Sequence, residues 1–188
     1  MIGIAGAPGV GKTTYAVRLA AEEQGVHLPM DGFHLADVTL DRLGLRDRKG
    51  APETFDAWGY AALLARLRSE PDHVVYAPAF ERDLEQPLAG AVAVPPEATL
   101  VVTEGNYLLL DEPGWRAARA ELDEVWFLEE DEDLRRSRLV ERHVAFGKTR
   151  EEAAAWVAGV DDANAALVAR TRAAADRVVD LRDLRDGS

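Results

Sequence analysis

Met1-Ile2-Gly3-Ile4-Ala5-Gly6-Ala7-Pro8-Gly9-Val10-Gly11-Lys12-Thr13-Thr14 opens the chain, and the fold follows from how it is read. Residues 2–5 are a short apolar run, read as a strand. Gly6 to Thr13 fits G-x-x-x-x-G-K-[ST], a loop whose backbone N–H groups turn inward on phosphate oxygens. The glycines permit that tight curl. Tyr15 to Ala20 continues with helical periodicity, so a helix N-terminus adds its positive dipole end to the loop. Gly6, Ala7, Pro8, Gly9, Val10, Gly11, Lys12, Thr13 and Thr14 are therefore expected to hold the triphosphate of ATP. Lys12 would neutralise charge on the outer phosphates, and the Thr13 hydroxyl would ligate Mg²⁺.

Outward from this loop, strands and helices alternate. The helix over 11–24 is expected to end at Gly25, and Val26 to Met30 reads as a second strand. Asp31-Gly32-Phe33-His34 follows at its carboxyl end, where open α/β sheets place their ligands. A helix is predicted over 35–43, stopped by Gly44, then a charged loop over 46–53. The next helix runs from an Asp56 cap to Ser69, and His73 to Ala77 reads as a strand. Pro78 to Gly90 reads as a long polar loop with a binding role, closed by a short strand at 91–94. Thr99 to Thr103 is a β-branched run read as a buried parallel strand, ending at Glu104. Trp115 to Glu121 is a short helix and Glu124 to Leu128 a strand. A charged helix covers 131–146, and Gly147 breaks it. Thr149 to Glu152 has capping-box spacing and opens a helix to about Ala175, with a bend. A last strand at 177–181 and a frayed tail at 182–188 complete the chain.

The 188 residues allow one sizeable core, so 1–188 is expected to be a single domain. Lys and Arg number 22 against 34 Asp and Glu, for a net charge of −12. Such acidity repels nucleic acid and anionic lipid, so neither is expected as a partner. Cysteine is absent, which excludes disulfides and thiolate chemistry. With no membrane-length apolar stretch and a strand beginning at residue 2, a cytoplasmic location is expected.

Four sets of side chains could carry chemistry. Glu104, at the tip of a buried strand, is placed to hold Mg²⁺ directly or through water; Asp111 is a weaker competitor. Asp31 could orient an acceptor hydroxyl and take its proton, or the Asp-Gly pair could be an ordinary turn. Gly32 would let a ligand approach the backbone. Arg135, Arg138 and Arg142 share one helical face and could clamp a transferring phosphoryl group; a solvated face with ion pairs is the alternative. His34, Lys49, Asp56 and Arg82 fall where a substrate pocket would be walled, with Asp56 also a natural helix cap.

These stretches, with Arg48-Lys49-Gly50-Ala51-Pro52-Glu53-Thr54-Phe55-Asp56, Thr103-Glu104-Gly105-Asn106-Tyr107-Leu108-Leu109-Leu110-Asp111 and the segment 135–148, resemble the phosphoribulokinase, uridine kinase and type I pantothenate kinase group. The resemblance implies a three-layer α/β/α P-loop fold with a mostly parallel sheet of about five strands and an Arg-rich helical lid at about 131–150. It implies Asp31 as catalytic carboxylate, Glu104 as magnesium-associated acid and Asp56 as a substrate contact. Arg138 and Arg142 fall in its lid; Arg135 is assigned to ATP and Tyr107 to the substrate side. The implied reaction is phosphoryl transfer from ATP, with Mg²⁺, to a small-molecule alcohol: a nucleoside, a sugar or a pantothenate-like acceptor. A regulatory ATPase remains open, as does a nucleoside monophosphate kinase using Arg46, Arg48 and Arg82.

Overall fold

The computed structural model describes residues 1–186. The elements run β1 (Ile2–Gly6), α1 (Lys12–Glu22), β2 (Val26–Pro29), α2 (Asp37–Leu43), α3 (Ala57–Ser69), β3 (Val75–Glu81), β4 (Gln86–Val94) and β5 (Val101–Glu104). They continue with α4 (Pro113–Ala120), β6 (Glu124–Glu129), α5 (Glu132–Ala145), α6 (Arg150–Trp156), α7 (Asp162–Ala169), β7 (Arg177–Asp180) and α8 (Leu181–Asp186). Five strands form one parallel sheet in the order β2-β5-β1-β6-β7. This is the expected three-layer α/β/α architecture.

Strand alternation builds the two apolar layers. Ala5, Val101 and Phe127 face a core shared with Tyr60 and Leu64 of α3 and Trp115 of α4. Their sequence neighbours Ile4, Val102 and Leu128 face the opposite layer, with Ala16 and Ala20 of α1. Strands buried on both faces must be apolar throughout, which is why β1 and β5 lack the alternation of a half-solvated sheet.

Several sequence expectations are corrected. The stretch 78–90 is no loop: β3 and β4 pair antiparallel, with a register shift between Ala77 and Ala79. Pro78 sits in that irregularity, the place where a strand tolerates a missing N–H. Helix α1 ends at Glu22, and Gln24, not Gly25, adopts the left-handed turn. Gly25 lies against Leu100, whose carbonyl oxygen would be 2.7 Å from an added Cβ. The last long helix is split by a π-helical turn at Val157–Asp161. Residues 181–186 form α8 where a frayed tail was expected; residues 187–188 of that tail lie outside the described residues. The capping box is present, with Thr149 accepting from Glu152 N. No helix among the described residues is long and apolar enough to cross a membrane.

Candidate active site

The carboxyl ends of β1, β2 and β5 open onto one cavity of about 590 Å³. The loop after β1 forms one wall. Gly9 and Gly11 have φ of 80° and 103°, a region that side chains with a Cβ rarely adopt. Gly9 has a second constraint: an added Cβ would lie 2.6 Å from Leu139 Cγ and 2.8 Å from Arg135 O. The loop is thus pressed against α5. Lys12 is 8% exposed, and its Nζ donates to Ala7 O at 3.0 Å, folding the amine back over the loop. Burial lowers its pKa to about 8, against the opposing pull of Glu104 and Asp31.

Glu104 closes the inner end. It is 5% exposed, accepts from the Thr13 hydroxyl at 3.1 Å and lies 3.8 Å from His27 Nε2. Its strand is fixed from behind. Thr103 donates to Leu28 O at 2.7 Å, so the Tyr60 hydroxyl, 2.6 Å from Thr103 Oγ1, is the donor in that pair. Burial pushes the Tyr60 phenol upward, so it keeps the proton it donates.

Asp31 lines the same cavity from a 3₁₀ turn at Met30–Phe33. Arg82, near the tip of the β3–β4 hairpin, approaches its Oδ2 at 3.3 Å and lies over the Phe80 ring. Gly32 is not open to a ligand, contrary to expectation: an added Cβ would lie 2.2 Å from Pro78 O. What approaches that backbone is strand β3. His34 also lines the cavity, stacked on Phe55 with ring centroids 3.9 Å apart. Burial lowers its pKa to about 4, so it is neutral near pH 7. Lys49 donates to Asp37 Oδ1 at 2.8 Å and to Glu85 O at 2.7 Å.

The three arginines that share one face of α5 divide. Arg138 and Arg142 line the cavity. Burial and the nearby charge of Arg82 lower the Arg142 pKa, and among the described residues no carboxylate lies within ion-pair distance of it. Arg135 instead is 2% exposed, donating to Pro8 O at 2.9 Å and to Asp162 Oδ1 at 3.0 Å. It braces the back of the loop, where sequence had assigned it to ATP. Arg136, off that face, pairs with Asp162.

Two further expectations do not meet the cavity. The Asp56 carboxylate accepts from Gly59 N at 2.8 Å and caps α3. Tyr107 is 1% exposed and donates to Gly50 O, so it supports the wall from behind. Arg48 pairs with Glu53 at 2.6 Å outside the cavity, whereas Arg46 and Arg82 line it, paired with Asp37 and Asp31. Sequence reading missed His143, Trp156, Asp161 and Asn164, which also line the cavity. His143 adjoins Arg142 and could have been found; Trp156 ends α6, and Asp161 and Asn164 arrive through the π turn, which composition does not mark.

The donor set fits Mg²⁺ beside a triphosphate. Among the described residues no group of three or more His, Asp or Glu side chains could hold a metal alone. A hydroxyl and one buried carboxylate leave the remaining positions to phosphate and water, as Mg²⁺ prefers.

No protein-family model matches the chain. It is 36% identical over 166 residues to a candidate uridine kinase of Schizosaccharomyces pombe, covering 81% of this chain and 71% of that one. It is 38% identical over 133 residues to an ATP-dependent kinase-like protein of Aspergillus versicolor, covering 67% and 77%. A solved structure of a candidate fructose transport system kinase from Silicibacter sp. TM1040 superposes with a TM-score of 0.85 at 40% identity, over 95% of this chain and 88% of that one. With a phosphate loop, a parallel sheet and relatives of this kind, the chain belongs to the superfamily of P-loop kinases, related to its uridine kinase and fructose kinase members.

Proposed function

We propose that this kinase transfers the γ-phosphoryl group of ATP to an alcohol hydroxyl of a small molecule. Residues 1–188 act as one unit with a lid at about 131–150, carrying Arg138 and Arg142. The observation supporting this is the placement of Asp31 on the same cavity as Lys12, Thr13, Glu104 and Arg142.

The loop from Gly6 to Thr14 cradles the triphosphate. Lys12 leaves Ala7 O for the outer phosphates, whose charge repays its burial. Asp31, oriented by Arg82, accepts the proton of the acceptor hydroxyl. The hydroxyl oxygen forms its bond to the γ-phosphorus while the bond from phosphorus to the β–γ bridging oxygen breaks, and ADP leaves. Arg142 makes no ion pair among the described residues and feels Asp161, Asp31 and Glu85 only at longer range, so it is available to charge developing on the transferred group. Mg²⁺, when bound, neutralises charge on the phosphate oxygens, and Thr13 and Glu104 would hold it. Closure of the lid excludes water and limits hydrolysis.

The test is acceptor-stimulated ADP release across nucleosides, sugars, pantothenate and monophosphates. Asp31→Asn should lower the stimulated rate by about 10²- to 10⁴-fold while ATP affinity changes little. Undiminished turnover in that variant would remove Asp31 from its role.

A further inference from the structure

The acceptor end of the cavity holds a recognition wall separate from Asp31. The π-helical turn at Val157–Asp161 inserts an extra residue between α6 and α7 and resets which side chains face inward. It brings Asp161 and, one turn later, Asn164 to the cavity. Asp161 is 7% exposed, and His143 Nε2 lies 2.9 Å from its Oδ2. Its partner is thus a ring nitrogen on the neighbouring α5, and no ion pair to its Oδ1 is found among the described residues. Asn164 Nδ2 lies 3.5 Å from Gly50 O, a contact at the limit of a hydrogen bond. A carboxylate and an amide three residues apart on one face form a donor-acceptor pair suited to neighbouring hydroxyls. The aromatic faces of Phe80, Phe55 and His34 stand in the same cavity and suit the C–H edges of a carbon chain or ring.

The charges at this end are already matched. Arg82 is held by Asp31 at 3.3 Å, and Lys49 and Arg46 by Asp37, each at 2.8 Å. An anionic acceptor would have to break these pairs and approach Asp161, Asp31 and Glu85. Among the described residues, the cavity cations without a carboxylate in ion-pair distance are Lys12 and Arg142, beside the phosphate loop, and Lys148, which lies over the Trp156 ring. We infer that Asp161 and Asn164, set by the π turn, are the specificity-determining contacts of the acceptor site, and that the acceptor is an uncharged polyhydroxylated molecule. This rests on the phosphotransfer reading above.

Two probe sets separate the possibilities: glycerol, ribitol, fructose and uridine against glycerate, pantothenate, fructose 6-phosphate and uridine monophosphate. The native chain should release ADP faster only with members of the uncharged set. Asp161→Asn and Asn164→Ala should each raise the acceptor KM about 10- to 100-fold, with the KM for ATP moving less than about threefold. Asn164→Ala guards against misfolding of the buried Asp161 variant, and a thermal melt of each is recorded alongside. Stimulation by the anionic set, with its KM raised in Arg82→Gln, overturns the inference and leaves the kinase reading intact. So does stimulation by uncharged acceptors whose KM neither variant moves. ATP binding with no stimulation from either set overturns both readings.

Discussion

The Thr13 hydroxyl donates to Glu104 Oε1 at 3.1 Å, joining the first turn of α1 to the end of β5 across 91 positions of sequence. A buried carboxylate with a hydroxyl as its near partner, in a cavity that also holds Lys12, is poised for a hard cation. Glu104→Gln keeps the shape and the acceptor oxygen but removes the charge. The Mg²⁺ concentration for half-maximal turnover should rise about 10- to 100-fold, with far-ultraviolet circular dichroism unchanged. An unaltered Mg²⁺ titration would take Glu104 out of the metal site.

Lys12 gives a pH-dependent prediction. Its amine titrates at about 8 in the folded chain against 10.5 ordinarily. Between those values the unfolded chain binds the proton and the folded chain has released it. Without ATP, stability relative to Lys12→Met should therefore rise with pH across that window. A triphosphate favours the charged amine, so ATP binding should take up protons near pH 8.5 and weaken as pH rises through about 8. Calorimetric ATP titrations in two buffers of different ionisation enthalpy measure the uptake. Identical heats in both would show that Lys12 does not change protonation on binding.

Gly32 tests whether the hairpin sets the position of Asp31. A Cβ there meets Pro78 O at 2.2 Å and Pro78 C at 2.5 Å, and backbone cannot yield as a side-chain tip does. Gly32→Ala should destabilise by about 1–3 kcal/mol. Because the shift falls next to Asp31, kcat should drop about 10²-fold while ATP affinity holds. A variant with normal melting and normal kcat would mean that the two segments move apart freely.

What the sequence disclosed and what it concealed differ in kind. The loop from Gly6 to Thr14, the strand-end positions of Asp31 and Glu104 and the Thr149–Glu152 box were legible as places in the fold because their signals are local: a turn, a strand end, a cap. The β3–β4 hairpin was hidden because Pro78 reads as a strand breaker, and nothing nearby announces the irregularity that accommodates it. The role of Arg135 depends on Pro8 O, 127 residues away, so helical periodicity alone grouped it with Arg138 and Arg142. Asp161 and Asn164 depend on a π turn that has no compositional mark. Asp56 and Tyr107 were the right residues at the right elements, turned to structural work rather than into the cavity.

Arg135 and Arg138 offer the sharpest contrast, three residues apart on one helix. The Arg135 guanidinium is 2% exposed and satisfies Pro8 O, Glu132 and Asp162 together. Arg135→Leu takes the side-chain donor from the Pro8 carbonyl and leaves Glu132 and Asp162 to Arg136 alone, which costs about 3–5 kcal/mol. For a chain of this size that is a fall in Tm of about 6–20 °C. Arg138 pairs with Glu130 at 3.2 Å, its own side chain 41% exposed and that of Glu130 fully buried. Arg138→Lys keeps a cation beside that buried carboxylate but loses the planar fork, so it should leave Tm within about 4 °C and show its effect instead as weakened ATP binding. Thermal melts with and without ATP read both variants. Equal Tm losses would place the two arginines in one role, and a stable Arg135→Leu with weakened ATP binding would return Arg135 to the nucleotide.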